Sequence, residues 1–475
     1  MVSQFVDSLI ELGVEEVISC PGGRSAAILN QIIETKKFKV ESFYDERSAG
    51  FYALGKALKT NKPVVVLTTS GSAAVALYPA LLEARYQEGA KLIAVTADRP
   101  KEFIGTGAPQ TIHQKNLFLE NGIKTRDCKE LNAVNAIEYP VHINVPLEDP
   151  NSEEEEVFKY SFDSLVIISS LKENERSEVK RYLANYAGAL VLEPLSNLAK
   201  EDFPKASVIK HGEDFVLKAG LKSFKEIYRV GGVPVFKPWR ESRSHPKVYF
   251  WNQYEFPGTV NAKGVSLEEI AKKTLGFEKD EAFEELIKEF DDKVKGVITS
   301  HPLSEVSKFI ELGEMVPEGS QVFIGNSMPI REWPFVNWSK FKNIGQRGVN
   351  GIDGSLALAL GALDKDKENW IILGDLTSLY NVNDLQALKY LKDYKIRLVV
   401  VNNSGGRIFE RIFDKNTEYF INKQNCSFKN LAAFWSLDHL GFAKDLKLSK
   451  HCLVELKISH DASVQFWNNM SGIKL

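Results

Sequence analysis

Cysteine is scarce in this chain. The four present, Cys20, Cys128, Cys426 and Cys452, are scattered with no paired spacing, which excludes a disulfide framework and a Cys-based zinc site. An excess of one charge is missing too, since 60 Lys and Arg stand against 63 Asp and Glu for a net −3. No general field therefore draws nucleic acid or an anionic membrane, and any anionic ligand must be held by local cations. No run approaches the ~18 apolar residues that span a bilayer. Near the start, Asp7, Glu11, Glu15 and Glu16 occupy the stretch where a secretion signal needs a basic start and an unbroken apolar run. The expectation is a soluble, cytoplasmic protein with no nucleic-acid or membrane partner. The eight histidines are dispersed, and His142 in YPVHINVPL reads as a core or edge residue of a strand. No Ser/His/Asp set is recognisable, so nucleophilic catalysis by a side chain is not expected.

What the chain does have is apolar material for several cores, with 44% hydrophobic residues over a length of 475. At about 150 residues per domain, roughly three domains follow. LGVEEVISC, AAILNQIIE, PVVVLTTSG, SAAVALYPALLEARY and KLIAVTADRP alternate strand and helix patterns, the mark of a doubly wound parallel sheet with ligand loops at its strand ends. The acidic run NSEEEE at 151–156 reads as a linker. Shorter strands (GALVLEP, KVYFWNQ) and the Gly/Pro-punctuated VGGVPVFKPWRE follow, then an amphipathic helix over 280–293. Alternation returns with QVFIGNS, NWIILGD, IRLVVVNN and HCLVELKIS. The expected fold class is α/β, two doubly wound parallel-sheet domains flanking a smaller α/β middle domain, with boundaries at 1–156, 157–279 and 280–475.

The chemistry concentrates at strand ends. NWIILGD closes on Gly374 and Asp375, and IRLVVVNN on Asn402 and Asn403. An acid and an amide at the tips of two strands can converge on one hard cation, with a carbonyl from the following turn; Mg²⁺ so held shares its coordination with phosphate oxygens. Taken alone, GD and NN are also ordinary turn chemistry. Their order and flanks resemble the thiamine diphosphate signature of the decarboxylase and acetolactate-synthase superfamily. That resemblance implies thiamine diphosphate as cofactor and Mg²⁺, or Mn²⁺ as an alternative, on Asp375, Asn403 and the Gly405 carbonyl. Leu376 stands where the motif often has Gly. In YDERSAGFYALG, Glu46 fits the superfamily's catalytic glutamate, which hydrogen-bonds the cofactor's pyrimidine and promotes the imino form that deprotonates the thiazolium. Burial there is expected to raise its pKa. A lone Glu at a helix start is more often a capping or dipole residue, and its pairing with the distant GD and NN motif turns the balance toward the catalytic reading.

CPGGRSA, DERSAGF, TSGSAA, TADRP, GAPQTIHQ, GNSMPIR, QRGVNGIDG, LGDLTSLYN and NNSGGRIF narrow the resemblance to the 2-succinyl-5-enolpyruvyl-6-hydroxy-3-cyclohexene-1-carboxylate synthase (MenD) family of menaquinone biosynthesis. It covers the first ~145 residues and about 320–410 well, the middle domain poorly and as if shortened. The family implies a transferase that decarboxylates 2-oxoglutarate and adds the four-carbon unit to isochorismate. The first domain then binds the pyrimidine and the last the diphosphate and metal. Ser70, Gly71, Gly374, Asp375, Leu376 and Asn403 join Glu46 around the cofactor, with Ile408 and Phe409 walling the pocket. Two dicarboxylate substrates need several fixed cations, and Arg suits them. By resemblance Arg24, Arg99, Gln110 and Lys237 face isochorismate, while Asn326, Ser327, Arg331 and Arg347 face the 2-oxoglutarate side. The resemblance also implies an obligate homodimer or dimer of dimers, with Glu46 and Asp375 of one site on different subunits.

Three departures bear on substrate binding. Gly23 replaces the family's usual Ser, Pro109 an Asn, and Pro238 a basic residue whose charge Arg240 can replace. Two other readings compete. One is another thiamine diphosphate-dependent 2-oxoacid decarboxylase or acetolactate synthase-like carboligase, which needs fewer arginines for its monocarboxylates. The other is a non-catalytic cofactor-binding scaffold, which needs no Glu46.

Overall fold

The computed structural model describes residues 1–87, 89–128, 138–148, 160–252, 255–276, 278–413, 415–443 and 446–475, apart from the side chains of Asp127, Arg240 and Glu241. The acidic run read as a linker and the Arg240 side chain thus lie outside the described residues. Among the described residues, three six-stranded sheets follow one another along the chain. The first contains β1 (Glu16–Ser19), β2 (Lys39–Ser42), β3 (Val64–Thr68), β4 (Leu92–Asp98), β5 (Lys124–Asp127) and β6 (Val141–Pro146), in the order β2-β1-β3-β4-β6-β5. The second contains β7 (Phe162–Ile168), β8 (Ala189–Leu192), β9 (Ser207–Val208), β10 (Phe224–Val230), β11 (Val248–Trp251) and β12 (Lys263–Gly264), ordered β12-β11-β10-β7-β8-β9. In the third, β13 (Gln321–Ile324), β14 (Lys342–Gly345), β15 (Glu368–Gly374), β16 (Lys395–Asn402), β17 (Asp438–Gly441) and β18 (His451–Lys457) run β14-β13-β15-β16-β18-β17. Every pairing among them is parallel.

Central strands are covered on both faces and so read as unbroken apolar runs; β3 and β4 are buried at every residue. The first and third sheets share one order. In each, the chain leaves the first strand toward one edge and then crosses back to the other side of it, so the loops after neighbouring strands diverge. That divergence opens a crevice at their carboxyl ends, between β1 and β3 in the first sheet and between β13 and β15 in the third.

Two compact units result. One comprises Met1–Ser152 with Val349–Asp353 and Ser404–Asn425; the other comprises the rest, including the second and third sheets. In the first unit, Val65, Leu67, Ile93 and Val95 face the helices Val2–Glu11 and Ala26–Thr35 together with Phe420, while Val64, Val66, Leu92 and Ala94 face the helix Glu46–Thr60. In the second, the amphipathic helix expected over 280–293 is Glu281–Ser300, with the Asp280 carboxylate accepting from the Ala282 and Phe283 N–H groups. Its Phe283, Ile287, Phe290 and Val294 pack into the middle sheet's core with Leu165, Phe215 and Phe224.

Candidate active site

In the first unit, the motif loops converge on the β1/β3 crevice. CPGGRS follows β1 and TSGS follows β3. They lie so close that a Cβ on Gly22 would stand 2.5 Å from the Thr69 Cβ. Glu46 opens the helix Glu46–Thr60, but the cap is Asp45, whose carboxylate accepts the Ser48 N–H at 3.1 Å and the Ser48 hydroxyl at 2.7 Å. The capping role weighed for Glu46 therefore belongs to its neighbour. Glu46 is half-buried, and its charge, after burial itself, is the next largest influence raising the pKa of the buried Cys20 thiol. The carboxylate is thus within electrostatic reach of Cys20, the residue after β1.

Arg24 donates to the Leu147 carbonyl at 3.2 Å. Arg99, buried at the end of β4, donates through Nε to the Pro109 carbonyl at 3.2 Å and lies over the Phe103 ring. Since the Pro109 contact is made by backbone, that departure leaves it intact. Gly23 is exposed, and a Cβ there would meet nothing within 4 Å. Gln110, at φ +55°, donates its N–H to the Val349 carbonyl at 3.0 Å.

Beneath these lies a buried polar network the sequence reading did not single out. Gln114 accepts the Gly71 N–H at 3.1 Å and donates to the Thr96 hydroxyl, the Ala97 carbonyl and Asn144 Oδ1 at 2.9–3.0 Å. Asn144 donates to Asp98 at 2.9 Å, and Asp98 accepts the Arg99 N–H at 2.8 Å. Burial pushes the Asp98 carboxyl up, against its hydrogen bonds and the charges of Arg24 and Arg99. Gln114 closes the motif GAPQTIHQ, which was the signal available for it. His142 is buried, as expected, between the Thr96 and Thr125 hydroxyls.

Gly405, Ile408 and Phe409 also belong to this unit. Gly405, at φ +133°, is pressed against the Ile421 carbonyl, 2.6 Å from where a Cβ would stand, and its own carbonyl accepts the Arg407 N–H at 2.9 Å. Phe409 packs on Phe413 and Phe420 at the edge of the core, and Ile408 is partly exposed.

In the second unit, GNS follows β13 and GD follows β15, the pair flanking the third sheet's crevice. A Cβ on Gly325 would stand 2.8 Å from Leu373 Cδ2 and 3.0 Å from the Ile372 carbonyl, so the turn after β13 packs directly on the end of β15. Asn326 is buried, donates to the Gln346 carbonyl at 3.0 Å and accepts Arg347 Nη1 at 2.7 Å. Ser327 sits at φ +73°, and its carbonyl accepts Arg331 Nη1 at 2.6 Å. Four expected residues thus form one cluster.

Asp375 is buried and accepts the Leu376 N–H at 2.7 Å; Gly374 is only partly buried and precedes it at the strand end. Just after adjacent β16, Asn403 donates through Nδ2 to Glu305 at 3.2 Å, so Oδ1 is the end of its amide that suits a cation. Glu305, buried and far away in sequence, was not foreseen. An acid and an amide oxygen at neighbouring strand tips are a hard donor set, and these residues fit Mg²⁺ with a diphosphate. Lys237 is exposed at the start of the short helix Lys237–Glu241 in the middle-sheet region, and Pro238 behind it is buried.

Residues 1–117 match the family model "Thiamine pyrophosphate enzyme, N-terminal TPP binding domain". The chain is 31% identical to the 2-succinyl-5-enolpyruvyl-6-hydroxy-3-cyclohexene-1-carboxylate synthase of Bdellovibrio bacteriovorus, over 98% of this chain and 97% of that protein. It is 30% identical to the Lactococcus lactis subsp. lactis protein of that name, with the same coverages, and 30% identical to the one from Lysinibacillus sphaericus, over 92% and 90%.

Proposed function

Because the chain belongs to the 2-succinyl-5-enolpyruvyl-6-hydroxy-3-cyclohexene-1-carboxylate synthase family, we propose that it carries out the reaction of that name as a thiamine diphosphate-dependent transferase of menaquinone biosynthesis. 2-Oxoglutarate loses CO₂, and the remaining succinyl unit adds to isochorismate. The observation that carries this reading is positional: motif residues fall at the crevices of two sheets with the same strand order, where α/β sheets bind ligands.

Thiamine diphosphate, when bound, supplies the electron sink that decarboxylation of a 2-oxoacid needs. The chain's residues bind and orient. Asp375, Asn403 Oδ1 and the Gly405 carbonyl would hold Mg²⁺ or Mn²⁺, with Gly374 and Leu376 beside the diphosphate. Ser70, Gly71, Ile408 and Phe409 would contact the rest of the cofactor, and Glu46, which follows the Asp45 cap, would share a proton with its pyrimidine. Arg331 and Arg347, held by the Ser327 carbonyl and Asn326, would receive the 2-oxoglutarate carboxylates. Arg24, Arg99, Gln110 and Lys237 would receive isochorismate. Gly23 leaves open space where the family has a hydroxyl.

Domains at 1–156, 157–279 and 280–475 and a homodimer or dimer of dimers, with Glu46 of one chain serving Asp375 of another, complete the proposal. No helix among the described residues is long and apolar enough to cross a membrane; a cytoplasmic location is part of the same reading. CO₂ release from 2-oxoglutarate, with and without isochorismate, is the test. Release coupled to formation of the adduct supports the synthase, whereas release from pyruvate with none from 2-oxoglutarate returns the protein to the acetolactate-synthase type. No release from either leaves a scaffold.

A further inference from the structure

Within the second unit, the loop after β8 joins the middle sheet to the edge of the third. Leu195 is part of the third sheet's core. Asn197 donates to the Asn343 carbonyl at 2.9 Å and accepts the Asn343 N–H at 2.6 Å, pinning β14 just before Gln346 and Arg347. Glu193 begins this loop. Its side chain is buried, and Oε1 accepts the Phe236 N–H at 2.9 Å, one residue before Lys237. Burial pushes the carboxyl up to about 7, against the pull of the Phe236 and Val235 N–H groups and the Arg347 charge; Glu213 pushes it further up. The buried Arg229, whose guanidinium is anchored on the Phe256 and Pro257 carbonyls, also feels the Glu193 charge. One carboxylate therefore holds the backbone that presents Lys237 and lies within electrostatic reach of Arg347.

We propose that Glu193 is a positioning residue for substrate binding: its carboxylate, reaching from the middle sheet, sets the loop that carries Lys237 and holds the charge of Arg347 in place. This rests on reading Lys237 and Arg347 as substrate residues. It gives the middle sheet a task in the reaction although it supplies only one expected contact. Both functions need the ionised form, since a protonated carboxyl loses its attraction for Arg347 and is a weaker acceptor for the N–H groups. Affinity for both substrates then falls as pH drops through the neutral range.

The test compares wild type, Glu193→Gln and Glu193→Asp in the complete reaction, with KM for each substrate measured from about pH 6 to pH 8.5. Thiamine diphosphate affinity is measured by titration. Gln keeps an acceptor for the Phe236 N–H but has no charge. Expected for Gln is a KM raised about tenfold for both substrates at the alkaline end, kcat within about threefold and cofactor affinity unchanged. Its KM should no longer depend on pH across the range in which wild-type KM rises toward acid, and Asp should restore part of the affinity. An active wild type beside a Gln variant with the same KM values and pH profile overturns this proposal alone. A wild type that releases no CO₂ from 2-oxoglutarate overturns it together with the functional reading. Should the Gln variant fail to fold, the wild-type profile decides, and KM values flat with pH overturn the proposal.

Discussion

Gly71→Ala puts a single methyl where the first unit has no room for it. Gly71 lies at φ +84°, ψ −138°, a region open almost only to glycine and costing other residues about 1–3 kcal/mol. The new Cβ would stand 2.9 Å from the Cα of Gln110 and 3.2 Å from its carbonyl carbon. Those are backbone atoms and cannot rotate away, and Gln110 is itself tied to Val349. Overpacking of this kind adds roughly 1–3 kcal/mol, so the expected loss is about 2–6 kcal/mol, or roughly 5–20 °C in the melting temperature of that unit. Relief requires the Gln110 segment to move, which should also raise KM for isochorismate and weaken thiamine diphosphate binding. Gly23→Ala is the control. It sits on an exposed loop with nothing within 4 Å of the new atom, and stability should change by less than about 0.5 kcal/mol. Scanning calorimetry and steady-state kinetics on both variants decide the matter. A Gly71→Ala protein with wild-type melting and wild-type KM would refute the tight apposition of these two loops.

Asp375→Ala should abolish Mg²⁺-dependent thiamine diphosphate binding while the far-UV spectrum stays unchanged, and undiminished affinity by calorimetric titration would put the metal elsewhere. Mixed with inactive Glu46→Gln chains it should regain activity in hybrid dimers, because one of the two sites then has both residues; inactive verified hybrids would count against sharing between subunits. Arg331→Ala should slow decarboxylation of 2-oxoglutarate measured without isochorismate, whereas Arg99→Ala should spare that step and raise the isochorismate requirement, each by roughly 2–5 kcal/mol; single-turnover measurements with equal losses at the first step would remove the division. Burial holds His142 neutral down to about pH 3, so below its ordinary value near 6.5 only the unfolded chain binds that proton, and stability falls with falling pH by about 1.4 kcal/mol per unit. His142→Gln should remove that slope between pH values of about 6.5 and 5 in denaturant titrations, and an unchanged slope would show that the ring is solvated.

The central strands were legible because a strand covered on both faces must be apolar throughout, and PVVVLTTSG, KLIAVTADRP and NWIILGD say so. The edges were not. KVES at β2, DHLG at β17 and KG at β12 are short and polar, as edge strands are when they avoid pairing with other chains, and nothing in them separates strand from loop. The site shows the same division. GD, NN, GNS and TSGS stood out because the crevices of both sheets demand small or oxygen-bearing residues at strand ends, a local requirement that leaves a local signature.

Glu305 and Glu193 left none, and Gln114 only its place at the end of GAPQTIHQ. Each is a buried polar residue whose partner lies far along the chain: Gly71 for the first, Asn403 for the second, Phe236 for the third. Its task is set by the fold and not by its flanks. The Ser404–Asn425 segment joins the first unit through partners of this kind too: the Ser42 hydroxyl donates to the Tyr419 carbonyl, Asn422 to the Phe43 carbonyl and Asn416 to Asn30 Oδ1. Asp45 and Glu46 show how such placement settles a choice that neighbours in sequence leave open. Either acid could cap the helix; the structure gives that work to Asp45. Glu46 follows as the first residue of the helix, and the proton-sharing role proposed for it is what the Glu46→Gln variant tests.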